Sequence, residues 1–543
     1  MRRFSEPREQ GIARLARVGA LGTSSQGIFS AALLVSGSLI ASRVLGLLRL
    51  SIFASLFGTS TSMAAYNAAF RIPDLLFTIV AGGALASAFI PVFSGLLEVR
   101  QEETAWRVAN TVLNTLLVTL VILAALCFVF APELVRALVP SFSHSEQLET
   151  ASLTRIMLVQ PVLLGIGGLF AAMQNSYGRF ILPSVAPVLY NAAIIVGAVV
   201  FGPRYGVYAA AWAVVGGAVV MFEIQIWGVV WESVRYRPTI DWRLTSAREV
   251  LRLLGPRLIG LSAFQFMLLV TTFLASGLTS AGFNAITYAW SLVMFPVGAV
   301  GSALGTAVFP TLSRQSATAQ RSALEHTVSR SIQAILFLAL PATAGLILLR
   351  HPVITLLFDH GAWTPASTAA TSFALVFYAL AIAPLALIEV AARSFYALRN
   401  TKTPVMLAVG ATLVDAVLSV VLIHLFPRDR GQGGLALATA ISVWLQVVLL
   451  IRALRVPLPH VAGSELRRAC KGMALATIGM SACVYAAFWV LSRASSSSTL
   501  WSGTEVVLPV CIGVLSYLWL AKRLGLPEAD RILGMLNRAR RSA

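Results

Sequence analysis

Apolar runs long enough to cross a bilayer recur from one end of the chain to the other, and this constrains the fold more than any single motif. About 20 apolar residues span the hydrocarbon as a helix. Candidate stretches lie near 28–57, 65–97, 108–131, 153–174, 180–201, 206–232, 256–278, 284–313, 330–350, 367–392, 403–426, 433–451, 471–492 and 502–521. With 57% hydrophobic and 12% charged residues among 543, the chain is not a soluble enzyme. Within hydrocarbon each backbone amide must be satisfied inside its own segment, which selects helices. The reading is an all-α integral membrane protein with about 14 transmembrane helices.

The formal charge of +19 is spread over short loops and forms no basic stripe with interleaved aromatics, so no nucleic-acid partner is expected. With the N-terminus placed inside, cytoplasmic segments collect about 31 of the 41 basic residues and outer loops about seven. Six of the former, Arg235, Arg237, Arg243, Arg248, Arg252 and Arg257, fall in one loop. Residues 1–27 are arginine-rich and lack the pattern of a cleaved secretory signal, so they are expected to form a cytoplasmic tail. An even number of spans returns the basic segment 526–543 to the same side. Cys127, Cys470, Cys483 and Cys511 have no metal-ligand spacing and read as core residues, with no metal site or disulfide expected.

An internal repeat is visible. AFIPVFS at Ala88–Ser94 returns as AVFPTLS at 307–313, Pro132 has a counterpart in Pro352, and Pro183 has one in Pro404. The expected organisation is an N-lobe at 28–233 with spans one to six, a cytoplasmic linker at 234–255, and a C-lobe at 256–457 with spans seven to twelve. Spans thirteen and fourteen at 458–525 form an appendage. Each copy holds an even number of spans, so the two six-helix lobes are parallel repeats that commonly enclose a cavity.

Two arginines interrupt the first run, in SRVLGLLR from Ser42 to Arg49. A charge at the bilayer centre costs upwards of about 2.5 kcal/mol. Arg43 and Arg49 therefore either face a polar cavity or, near an interface, snorkel to headgroups. Positions six apart on a straight helix point about 240° apart, so a bend or close packing at Gly46 would help both reach one cavity. Arg71 is a further candidate, with an i,i+3 ion pair to Asp74 as the alternative. Gly82, Gly83, Gly298, Gly301 and Gly305 are hinge or close-packing positions. Glu223, Glu389 and Asp415 lie in apolar surroundings, where function and structural pairing are both open.

These segments, with AYNAAFRIPDLL at 65–76, GGALASAFIPVFS at 82–94, NSYGRFILPSVAPVLYN at 175–191, GPRLIGLSAFQ at 255–265, FPVGAVGSALGTAVFPTLS at 295–313, FDHGAWT at 358–364 and FYALRNTKTPV at 395–405, resemble the MurJ (MviN) family of lipid II flippases. The resemblance covers roughly residues 28–525. It implies a fold of the MOP exporter superfamily and outward flipping of a lipid-linked peptidoglycan precursor by alternating access in the bacterial cytoplasmic (inner) membrane, with both termini cytoplasmic. It implies peptidoglycan biosynthesis, cell-wall biogenesis and cell shape as context, and cell-wall synthesis proteins as partners beside lipid II and membrane lipids.

Family cavity arginines match Arg43 and Arg49, with Ser42 beside them; Arg71 matches a basic family position, and Arg257 is the candidate from the opposite lobe. Three positions depart from the family pattern: Ala64, Phe77 and Ser291 stand where well-studied members carry charge. No cofactor is implied, and membrane potential or a coupling ion is left as the energy source. The rival readings are a flippase for another polyprenyl-pyrophosphate-linked glycan and a cation-coupled drug exporter of the same superfamily. A membrane enzyme is disfavoured, because there is no P-loop, no HExxH and no paired carboxylates in a sizeable polar loop.

Overall fold

The computed structural model describes residues 25–80, 83–230, 235–461, 463–493 and 499–542. The tail up to residue 24 and Gly82 lie outside the described residues, as do the side chain of Arg257 and the surroundings of Gly83. The described residues hold helices and no strand.

The first half runs α1 (Ser25–Phe57), α2 (Thr61–Ala69), α3 (Arg71–Val80), α4 (Gly83–Glu98), α5 (Glu102–Val129), α6 (Ala131–Leu138), α7 (His144–Met157), α8 (Val159–Ser176), α9 (Ile181–Tyr205) and α10 (Val207–Val230). The second runs α11 (Thr245–Ala275), α12 (Ser280–Val297), a π-helical turn (Gly298–Ser302), α13 (Ala303–Ala317), α14 (Arg321–Leu348), α15 (Arg350–Phe358), α16 (Pro365–Ala379), α17 (Ile382–Ala397), α18 (Lys402–Leu425) and α19 (Gly431–Leu454). The chain continues with α20 (Ser464–Arg493), α21 (Thr499–Arg523) and α22 (Pro527–Ser542).

Twelve spans among the described residues are long and apolar enough to cross a membrane, and a thirteenth is the α16–α17 pair, bent by 41°. The described residues thus account for 13 of the 14 expected spans. The shortfall is at 256–278, where α11 carries charge along its first half and offers only Phe264–Ala275 as a short apolar helix.

The repeat extends from motifs to backbone geometry. Arg100 and Ala319, 219 positions apart, both adopt left-handed φ, at 59° and 54°, just before the equal 28-residue helices α5 and α14. Gly178 and Arg399 do so at 73° and 59° ahead of α9 and α18. α7 and α16 each open on a capping box, from Ser143 with Glu146 and from Thr364 with Ser367. Identical punctuation at matching places makes the copies structural equivalents.

The chain resolves into two compact units. The first comprises residues up to Leu56 with Ala65–Leu138 and Ser143–Gln265; the second comprises Phe57–Ala64, Val139–Phe142 and Phe266 onward. In the first, Phe89, Phe93, Trp106, Leu120, Leu169 and Met173 form the centre of an apolar core drawn from α4, α5 and α8. Phe77 packs against it, so this uncharged position is an apolar contact.

In the second unit, Tyr288 lies 4.9 Å from the Trp363 ring and 5.0 Å from that of Phe358, and its hydroxyl donates to the Gly58 carbonyl at 3.3 Å. Asn284 Nδ2 donates to the Ser60 carbonyl at 3.1 Å, and the Thr59 and Ser367 hydroxyls are 2.6 Å apart. Gly58 has φ of +58° and its position faces the Ala362 carbonyl, so a side chain there meets both strain and collision.

Glycines act here mainly as packing positions. A Cβ at Gly301 would come 2.7 Å from Ala386 Cα, and one at Gly305 would collide with the Arg393 guanidinium. Gly298 opens the π-helical turn. The core reading of the cysteines is corrected: Cys483 and Cys511 are exposed and Cys127 and Cys470 half-buried, on helices whose outer faces the bilayer covers.

Gly228 on α10 faces the Gln174 amide, which donates to Gln225 Oε1 at 2.6 Å; both glutamines are buried. Gly228→Val is expected to lower stability by about 1–3 kcal/mol through overpacking. Gly216→Ala on the same helix, where a Cβ meets nothing within 4 Å, serves as the control. Thermal unfolding in detergent measures both, and equal melting temperatures would show that the contact is not close.

Candidate functional site

The site is built on α1, whose span Gly37–Phe57 holds both Arg43 and Arg49. Arg49 is eight residues from Phe57, or about 12 Å along the axis, well inside the apolar length. The helix continues unbroken through Gly46, where a Cβ would meet nothing within 4 Å. Close packing at Gly46 is not found among the described residues, none of which approaches its Cβ position within 4 Å. Its residues obey straight-helix geometry, and a separation of seven returns to nearly the same face. Ser42 and Arg49 share that face, and Arg43, one residue on from Ser42, turns about 100° away to an exposed position.

Around the Ser42–Arg49 face lie polar groups from five other helices. Asn191 Nδ2 on α9 donates to Ser42 Oγ at 3.3 Å and to the Pro187 carbonyl at 3.0 Å. Its neighbour Tyr190 lies within electrostatic range of Arg49, as does buried Tyr66 on α2. Gln160 on α8 donates Nε2 to the Tyr190 hydroxyl at 3.3 Å. Tyr190 is also in electrostatic range of Asp74 on α3, which in turn senses Arg71 one helical turn away. Gln265 on α11 donates Nε2 to Thr78 Oγ1 at 2.7 Å and reaches Asp74 Oδ2 at 3.4 Å. The whole set lies in the first compact unit.

Chemically the set is one carboxylate, two half-buried guanidiniums, two phenols and amide donors inside an apolar unit. Arginine presents five N–H groups in a planar fork that matches phosphate oxygens bidentately. Such a group in low dielectric binds an anion more strongly than it would in water. The neutral phenols of Tyr66 and Tyr190 lie within electrostatic range of Arg49 and leave its charge uncancelled.

Other sequence candidates are placed elsewhere. Glu389 forms an ion pair with Arg393 four residues on in α17, so this charge is met within its own helix. Asp415 on α18 is buried in the second unit and accepts from Ser442 Oγ at 3.2 Å. Glu223 is exposed. Ala64 is 3% exposed, leaving no room for a charged side chain, and Ser291 Oγ donates to its own helix at the Thr287 carbonyl, 2.8 Å away. Tyr66, Gln160, Tyr190, Asn191 and Gln265 were not singled out from sequence. Uncharged polar residues barely disturb an apolar average, and the signal available was only their recurrence within the spans.

Comparison with known proteins places this architecture. The profile described as "Lipid II flippase MurJ" matches residues 53–507. The chain belongs to the MurJ family. A lipid II flippase MurJ from Burkholderia cenocepacia is 31% identical over 437 residues, covering 79% of this chain and 84% of that one. A probable lipid II flippase MurJ from Bdellovibrio bacteriovorus is 29% identical over 514 residues, covering 93% and 96%. Among solved structures, one of the lipid II flippase MurJ in an inward closed conformation superposes with a TM-score of 0.76 at 24% identity, covering 90% of this chain and 98% of that one. An inward-facing multidrug resistance MATE family transporter of the MOP superfamily matches at 0.65 and 16% identity, covering 79% and 96%. The MurJ family is one of transporters, so the chain is a multi-pass membrane transporter and not an enzyme. The matched range includes Tyr66, Arg71, Asp74, Tyr190 and Gln265 and begins four residues after Arg49.

Gln265→Leu removes the amide that ties Thr78 and Asp74 to α11 and leaves two half-buried acceptors unmet, at about 1–3 kcal/mol. A fall of several degrees in melting temperature, larger than that of Thr78→Val, is the expected readout. No fall would show that solvent already serves these groups.

Proposed function

We propose that the protein flips lipid II, or a closely similar polyprenyl-linked peptidoglycan precursor, from the inner to the outer leaflet of the bacterial cytoplasmic membrane. The observation that carries this reading is the pair Arg43 and Arg49 in mid-span on α1 of a MurJ-family chain, with Arg49 set among the polar groups of α2 and α9. A lipid-linked sugar must bring a pyrophosphate across a low-dielectric layer, and a guanidinium placed like that of Arg49 supplies charge-assisted, bidentate hydrogen bonds to it. Arg49 receives the pyrophosphate, Ser42 and Asn191 hold the approach, and Arg71 and Arg257 contribute further positive potential. The polyprenyl tail stays in lipid while the two lobes alternate access. Both termini face the cytoplasm, as the loop charges favour.

An interior-negative potential favours outward movement of an anion by about 2.3 kcal/mol per charge per 100 mV. The potential therefore supplies driving force without any cofactor. Flipping in sealed vesicles is expected to slow when an ionophore collapses the potential; an unchanged rate assigns the drive elsewhere.

The decisive experiment is complementation of bacteria depleted of their own lipid II flippase. At equal membrane abundance the parent protein is expected to restore growth, and Arg43→Ala and Arg49→Ala to fail. Arg49→Lys is expected to restore it only in part, since an ammonium keeps the charge and loses the fork. Rescue by both alanine variants would refute the arginine site. Failure of a well-inserted parent would point to another lipid-linked glycan.

A further inference from the structure

A second, separate basic site lies in the second compact unit. A cavity of about 430 Å³, within the range of small-ligand pockets, is lined by Arg330 and His326 of α14, Arg531 of α22, and the apolar side chains Leu304 and Val308 of α13 and Ala334 of α14. No carboxylate lines it. Glu528 and Asp530, also on α22, are not among its walls. Arg330 Nε donates to His326 Nε2 at 3.1 Å, which leaves both Nη groups of the fork for another acceptor. Neither Arg330 nor Arg531 forms an ion pair among the described residues.

The depth of the cavity identifies its ligand class. In α14 the charged and titratable residues Arg321, Glu325, His326 and Arg330 occupy the first ten positions, and none follows from Ser331 to Leu348. The cavity straddles this boundary, with Arg330 above it and Ala334 below. The boundary marks the plane where headgroups give way to acyl chains. A free anion has no use for the apolar wall, and a sterol or hydrocarbon has none for two guanidiniums.

We propose that this cavity binds the phosphate of an anionic membrane lipid, with Arg330 and Arg531 gripping the headgroup and Leu304, Val308 and Ala334 receiving the start of its chains. The lipid then bridges α22 to α13 and α14, so the C-terminal helix is fastened to the lobe through a leaflet component. This site shares no residue with the arginine site of α1.

The test uses the full-length protein in detergent, titrated separately with phosphatidylglycerol, with phosphatidylcholine of the same chain length, and with inorganic phosphate. Bound molecules are counted by native mass spectrometry. Phosphatidylglycerol is expected to bind about tenfold or more tightly than either competitor, and Arg330→Gln with Arg531→Gln to abolish that preference. Arg531 is exposed on a terminal helix, so Arg531→Gln alone keeps the fold and is expected to weaken binding severalfold. Val308→Trp, which fills the apolar wall, is expected to reduce lipid binding in a protein that retains both arginines. Equal retention of phosphatidylglycerol by parent and variants overturns the proposal. Phosphate binding as tight as the lipid's overturns it too, leaving a site for a free anion.

Discussion

A backbone amide without a partner in hydrocarbon costs several kcal/mol, and the whole fold follows from avoiding that cost. Helices satisfy the main chain, and the same carbonyls also absorb side chains. Thr111, Thr150, Ser291, Ser331 and Ser394 each donate to the carbonyl four residues earlier in their own helix. Hydroxyls so occupied leave cross-helix bonding to a few amides and charges. Those few mark positions where helices must meet in one register: Gln174 with Gln225, Gln265 with Thr78 and Asp74, and Asn191 with Ser42.

The two halves share backbone punctuation and differ in charge. At the 219-residue offset of Arg100 and Ala319, Arg71 of the first copy corresponds to Trp290 of the second, whose ring meets Tyr378 edge-on at 5.4 Å. Where the second unit does carry arginine within a span helix, Arg393 is met by Glu389 one turn back, and Gly305 makes room for it. Arg49 has tyrosines as neighbours instead, groups that solvate a cation and leave its charge uncancelled. The two spans thus differ at their internal arginines: Arg49 keeps its charge in the first unit, and that of Arg393 is neutralised in the second.

Legibility from sequence depended on how strongly each residue departs from its surroundings. A guanidinium in an apolar run is conspicuous, so Arg43, Arg49 and Arg71 were readable. Tyr190, Asn191 and Gln265 were not, because tyrosine, asparagine and glutamine shift a hydropathy average very little. Gly46 between two arginines suggested packing or a bend, yet the space beside it is open, since a glycine pattern does not say which face a neighbour covers. The cysteines suggested a core because apolar context in a membrane chain means burial in lipid as readily as in protein. The pairing of Glu389 with Arg393 follows an i,i+4 spacing that sequence already contained.

By itself the sequence determined that the chain is a bundle of membrane helices, that it is duplicated, and that charge sits in the middle of its first span. Those features are local or periodic, and hydrophobic length, repeated motifs and a charge in hydrocarbon need no partner to be recognised. Only the tertiary structure decided which groups surround Arg49, that Ser42 and Arg49 share a face from which Arg43 departs, and that Arg330 and Arg531, 201 positions apart, line one cavity. Those are facts of helix phase and long-range packing, and a sequence without contacts leaves the rotation of each helix about its axis free.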